Sequence, residues 1–216
     1  MKKFILFDFD GTITDTGEGI IKAVEYALVK MGKDPGSEAD RRRFVGPPLR
    51  QAFERFSDMD TPTATEAVRV YREYYRETGL FEASLYDGVT EQLRRLRESG
   101  AVTAVASSKP TIFINKLIEH FGITDLFDFV AGSELDGTHT DKAEVIAIAM
   151  EHLGAAKEDT VMVGDRSHDI IGAKKHGLAS VGVLYGYGSR EELTESGADA
   201  IAAETTELYD IIANIR

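Results

Sequence analysis

Two carboxylates set two residues apart, Asp8 and Asp10, close the apolar run Phe4-Ile5-Leu6-Phe7 and stand just before Gly11-Thr12. Residues i and i+2 of an extended chain point the same way, so a strand over this run aims both acids at one point beyond its end. Like charges that close repel each other, and the remedies are a metal cation, a bound cationic group or protonation of one partner. The hexapeptide also reads more plainly, as a strand running into an Asp-Gly turn. A second signal is needed to decide.

It lies far along the chain. Thr160-Val161-Met162-Val163 is another short apolar run rich in β-branched residues, and it stops at Gly164-Asp165, followed by Arg166-Ser167-His168-Asp169. A helix starting just after Asp165 places Asp169 in its first turn, facing the same point. Asp8, Asp10, Asp165 and Asp169 then share one pocket, a set of hard oxygen donors suited to Mg²⁺. Alone, Asp169 reads as an acid satisfying a helix dipole. Between the two acid pairs, the apolar run 101–106 predicts a buried strand that ends at Ser107-Ser108-Lys109-Pro110, and Lys142 opens the helical stretch 143–150. Ser107 by itself is a turn or cap residue, and Lys142 by itself a solvated cation. Their order gives them meaning.

An acid pair, a hydroxyl, a lysine and a second acid pair, each near the end of an apolar strand, resembles the haloacid dehalogenase superfamily of phosphohydrolases. Its four motifs appear as Asp8-Phe9-Asp10-Gly11-Thr12, Ser107, Lys142, and Gly164-Asp165-Arg166-Ser167-His168-Asp169. Within it the chain looks like the phosphoglycolate phosphatase and 5′-nucleotidase-like branch, through Gly46-Pro47-Pro48-Leu49, Ser108-Lys109-Pro110, Gly132-Ser133, Tyr185-Gly186-Tyr187-Gly188-Ser189 and Gly197-Ala198-Asp199-Ala200. Ser108 departs from the pattern, standing where many relatives carry Asn.

The resemblance implies an α/β fold: a Rossmann-like core with a mostly parallel sheet, and an α-helical cap inserted between the first and second motifs. It implies Mg²⁺-dependent hydrolysis of phosphate monoesters through an aspartyl-phosphate, with a small phosphoglycolate-type metabolite as the expected substrate and a nucleoside monophosphate as the alternative. Asp8 would be the nucleophile and Asp10 the general acid and then the base. The carboxylates of Asp8 and Asp165 and the main-chain carbonyl of Asp10 would hold the metal, with Asp169 supporting or completing that shell. Ser107 and Lys142 would hold the phosphoryl oxygens, helped by Phe9 and Ser108.

Apolar runs at 4–7, 101–106, 127–131, 160–163 and 180–184 alternate with helical patterns and predict βαβ construction, with the site at the carboxyl ends of the strands. The interval 16–83 has helical periodicity instead. Asp15 with Glu18 predicts a capping box opening a helix through Met31, stopped by Gly32; further helical stretches begin near Leu49 and include Tyr71, Tyr74 and Tyr75. The expected division is a core of residues 1–15 and 84–216 and a cap of residues 16–83. Pro47 and Pro48 stiffen the loop leading to Arg50, whose guanidinium suits a substrate carboxylate such as that of phosphoglycolate. A nucleotidase would instead stack a base on apolar or aromatic cap residues.

A formal charge of −12 argues against nucleic acid or an anionic membrane as a standing partner and leaves a small-molecule phosphate ester. The absence of Cys excludes disulfides, and the five His residues show no closely spaced ligand pair. With no apolar run long enough to span a bilayer or to form a signal-peptide core, a cytoplasmic monomer or homodimer is expected. A phosphomutase would share every motif but return phosphate to its substrate. A dehalogenase would not need Asp10, and a non-catalytic binding module would not need the intact acids.

Overall fold

A computed structural model describes residues 2–215. In chain order the elements are β1 (Phe4–Phe7), β2 (Thr14–Asp15), α1 (Gly17–Lys30), α2 (Glu38–Arg42), α3 (Leu49–Phe56), α4 (Thr61–Glu77), β3 (Ser84–Leu85), α5 (Val89–Glu98), β4 (Val102–Pro110), α6 (Thr111–His120), β5 (Phe129–Ser133), α7 (Lys142–Leu153), β6 (Thr160–Gly164), α8 (Ser167–Lys175), β7 (Ala179–Val183), α9 (Arg190–Ser196), β8 (Ala200–Ala202) and α10 (Leu208–Asn214). They separate into two compact units, one of residues Met1–Thr14 with Leu85–Arg216, the other of residues Asp15–Ser84.

The first unit is built on a six-stranded sheet in the order β5-β4-β1-β6-β7-β8, each strand parallel to its neighbours. A central parallel strand is covered on both faces, and β1 accordingly is apolar and buried at every position. The chain steps outward from β1 to β4 and β5, then crosses back to β6 and steps outward the other way. That reversal lies between β1 and β6, where an open α/β sheet leaves a crevice beyond its strand ends. Register fixes the level of the motifs. Phe7 pairs with Val105 of β4 and with Val163 of β6, so Asp8, Ser107 and Asp165 all emerge within two residues of one row.

On one face, Leu6, Ala104, Ala106 and Met162 pack against Val145, Ile146 and Ala149 of α7 and Ala173 of α8. Burying each larger side chain of this kind is worth roughly 1.5–3 kcal/mol, which fastens the helix starts that carry Lys142 and Asp169 to the sheet. Cap residues set those starts. Asp141 accepts from the Ala143 N–H at 2.8 Å, and the Asp169 carboxylate reaches back to the Arg166 N–H at 3.0 Å.

The second unit is helical. Tyr71 and Tyr75 of α4 are buried and stacked, with ring centroids 5.1 Å apart, and Phe44 packs edge-on against Phe53 and Phe56. These rings form the unit's own core, as amphipathic spacing predicts.

Several local expectations need correction. No Asp15–Glu18 capping box forms: Asp15 accepts from the Gly17 N–H at 3.0 Å, and Glu18 pairs with Lys22 at 2.6 Å, because α1 starts at Gly17 with Thr16 at its N-cap, one residue later than the box requires. β4 does not stop at Ser107; it runs on to Pro110 through an irregularity in its pairing with β5 between Ala106 and Pro110. Periodicity overlooked β8 and α2, each too short to carry a pattern.

Candidate active site

The site lies wholly within the sheet unit. Asp8 follows β1, Asp165 follows β6, and Asp169 sits in the first turn of α8; one carboxylate oxygen from each lies within 4.8 Å of the others, and all three residues are buried. The backbone permits this crowding through glycine. At Gly11, with φ +86°, and at Gly164, an added Cβ would fall on the Asp165 and Asp169 carboxylates respectively.

Lys142 enters from the N-terminus of α7. Its Nζ is 2.7 Å from Asp8 Oδ1 and 2.8 Å from Asp169 Oδ1, and it donates to the Ala106 carbonyl at 3.1 Å. Only 6% of this residue is exposed, so the solvated-cation reading fails. Burial by itself would push the ammonium down, but the charges of Asp169 and Asp8 outweigh it and hold the pKa above the usual lysine range. Burial, with the charges of Asp169 and Asp8, pushes Asp165 well above the usual carboxylate range. Burial pushes Asp169 up to about 6, with Asp8 adding to that and Lys142 opposing it.

These observations also test the site's fitness for a metal. Three buried carboxylates and one ammonium leave a formal charge of −2, and Asp8 Oδ1 and Asp169 Oδ1 receive no well-directed hydrogen bond. A hard divalent cation with oxygen ligands matches that donor set and its charge.

The other predicted residues fall as follows. Asp10 is not among the three clustered acids; its carboxylate pairs with Lys109, whose Nζ lies 3.0 Å from Oδ1 and 3.1 Å from Oδ2. Ser107 is buried at the same sheet end, and its Oγ accepts from the Lys109 N–H at 3.3 Å. Phe9 has a buried ring, and its carbonyl accepts from the Ile13 and Thr14 N–H groups at 3.0 Å each. The Ser108 hydroxyl donates to the Thr140 carbonyl at 2.9 Å. Pro47, Pro48 and Arg50 belong to the helical unit, where Pro48 caps α3 and Arg50 pairs with Glu54 at 2.8 Å.

Sequence reasoning missed three participants. Thr12 donates to Asp165 Oδ1 at 3.4 Å, the Tyr187 N–H donates to Asp165 Oδ2 at 2.8 Å, and Lys109 grips Asp10. Thr12 and Tyr187 were visible as motif members. Their direction toward Asp165 was not.

This arrangement has close relatives. The chain is 42% identical over 208 residues to a protein of Pseudomonas aeruginosa named 5′-nucleotidase, covering 96% of this chain and 94% of that one. It is 29% identical over 204 residues to a phosphoglycolate phosphatase of Colwellia psychrerythraea, covering 91% and 90%. A crystal structure of a predicted phosphatase from Clostridium acetobutylicum matches with a TM-score of 0.97 at 42% identity, covering 100% of both chains. Since a family model described as haloacid dehalogenase-like hydrolase also matches residues 5–183, the chain belongs to that family of hydrolases.

Proposed function

We propose that the chain is a Mg²⁺-dependent phosphate monoester hydrolase acting on small phosphorylated metabolites through an aspartyl-phosphate on Asp8. The observation that carries this reading is the pairing of Asp8 with a buried lysine at 2.7 Å inside a three-carboxylate cluster. Asp8, Asp165 and Asp169 would hold Mg²⁺, with the main-chain carbonyl of Asp10 as a further ligand. Bound there, the ion supplies charge neutralisation for the phosphoryl oxygens.

The chain's own residues do the rest. An Asp8 oxygen attacks phosphorus, and the bond from phosphorus to the ester oxygen breaks with its electron pair leaving on that oxygen. Asp10, which enters this step protonated, passes its proton to that oxygen and becomes a carboxylate. Water then attacks the same phosphorus, Asp10 takes the proton, and the Asp8 carboxylate is restored with release of phosphate. Lys142, Ser107 and the backbone N–H groups at Phe9 and Ser108 hold the phosphoryl oxygens, where charge spreads in the transition state. Lys142 also keeps Asp8 oriented.

In this reading the helical unit acts as the cap and chooses the substrate. One observation favours a nucleoside 5′-monophosphate over phosphoglycolate: the relative named 5′-nucleotidase is more similar than the phosphoglycolate phosphatase, 42% against 29%. No described helix is long and apolar enough to cross a membrane, and the cytoplasm is taken as the place of action.

Phosphate release from a panel of nucleoside monophosphates, phosphoglycolate and p-nitrophenyl phosphate, with and without EDTA, is the test. EDTA-sensitive release, lost in Asp8→Asn, is expected. Transfer of phosphate within a sugar phosphate without free phosphate would replace the reading by a mutase, and release unaffected by EDTA would remove the metal. A larger rise in KM for phosphoglycolate than for p-nitrophenyl phosphate in Arg50→Ala would restore the carboxylate-reading role.

A further inference from the structure

Lys109 is a cation the reaction just described does not use. Its side chain is only 4% exposed, and its ammonium spans both oxygens of Asp10 at 3.0 and 3.1 Å. A lysine so deeply covered is rare unless paired, and here it is paired with the carboxylate assigned to proton transfer.

The backbone that carries Lys109 is tied on every side. It lies in the irregular stretch of β4, where pairing shifts between Ala106 and Pro110. The Lys109 N–H donates to Ser107 Oγ at 3.3 Å. Ser133 Oγ donates to the Ser108 carbonyl at 2.8 Å, and Ser108 Oγ to the Thr140 carbonyl at 2.9 Å. Gly132 lets its strand close on this segment; an added Cβ would stand 2.6 Å from the Lys109 carbonyl oxygen and 2.8 Å from the Thr111 N. Such bracing is unneeded for a charge that merely balances another. It suits a group that must hold a second side chain in one direction.

We infer that Lys109 is a positioning residue for Asp10, fixing the direction of its carboxylate so that the proton passes along a set line to the leaving oxygen. Asp10 lies just before the turn at 11–13 and keeps 15% of its side chain exposed, so without a partner its χ angles are free to turn toward solvent. Proton transfer depends steeply on alignment, and a carboxylate held at both oxygens is already aligned when the ester arrives. The role is distinct from that of Lys142, which meets Asp8 and Asp169. The inference rests on the reading of Asp10 as proton donor.

Leaving-group dependence tests it. Esters of p-nitrophenol depart with little help, whereas esters of unsubstituted phenol need the proton more. Across a series of substituted phenyl phosphates, kcat/KM of Lys109→Met is expected to fall about tenfold further for phenyl phosphate than for p-nitrophenyl phosphate, in the direction shown by Asp10→Asn. Lys109→Arg, which keeps a cation able to span a carboxylate, is expected to recover most of that difference. The ratio between two esters does not depend on how much of the sample is folded, so partial misfolding leaves the test intact. An equal loss on all esters in Lys109→Met, with Asp10→Asn still discriminating, overturns the inference and leaves the reading of Asp10 in place. If Asp10→Asn itself fails to discriminate, the proton-donor reading falls first, and the inference falls with it.

Discussion

Lys142→Met is the perturbation whose cost the structure sets most directly. Methionine keeps the length of the lysine stem, which runs close past Gly172 of α8, and removes only the ammonium. That ammonium lies 2.7 Å from Asp8 and 2.8 Å from Asp169 with 6% of the residue exposed. Removing one partner of a buried pair typically costs about 3–5 kcal/mol, because the remaining charges stay out of water. At roughly 2–4 °C per kcal/mol for a chain of this size, the metal-free variant should melt roughly 6–20 °C lower near pH 8.

The same charges dictate a pH dependence. Asp169 is held at about 6 when folded against an ordinary 3.8, with burial as the main cause and Lys142 opposing it. Removing Lys142 drives the acid higher still. Protonation below that range discharges the cluster, so the difference in melting temperature between the two proteins should shrink as pH falls from 8 to 5. Calorimetry in EDTA at four or five pH values measures it. A deficit of the same size at every pH would refute the electrostatic argument and leave lost packing as the cause.

Three further outcomes follow from the geometry. Asp165 and Asp169, both raised by burial, bind protons more tightly folded than unfolded; the stability from Asp169 is full below about pH 4 and is lost as pH rises through about 6, so stabilisation by Mg²⁺ should be large at pH 8, much smaller at pH 5 and readable by thermal shift. Gly188→Ala should lose about 1–3 kcal/mol and most turnover, since an added Cβ would fall on the Asp165 carbonyl oxygen; a fully active, equally stable variant would show that this loop does not confine Asp165. Asp8→Asn should fold and lose at least about a thousandfold in kcat, the scale expected when a covalent nucleophile is removed, and phosphate release within tenfold of the parent would displace Asp8 from that role.

What the sequence disclosed was set by which interactions are local. Asp8 and Asp10 announced themselves through the two-residue repeat of extended chain, although β1 stops at Phe7 and only Asp8 joins the cluster, while Asp10 meets Lys109; Asp165 and Asp169 announced themselves because about one helical turn brings them together. The parallel sheet was legible for the same reason: β1 and β6 are uninterrupted apolar runs, as strands covered on both faces must be. The strand end at Ser107 was misjudged because Ser-Ser-Lys-Pro reads locally as a loop, whereas pairing with β5 carries the strand on to Pro110.

Lys109 marks the limit most sharply. A lysine beside a proline carries no periodic signal, and lysine is solvated far more often than it is buried. Its importance comes from adjacency in the sheet: β4 lies next to β1, and that places a residue 99 positions away against Asp10. Lys142 differs in degree only, since its place at a helix start was readable but its burial between Asp8 and Asp169 was not. The acids of a site of this kind can be found from spacing alone. The cations that orient them are fixed by sheet order, and each becomes visible only when the neighbouring strand or helix start is in place.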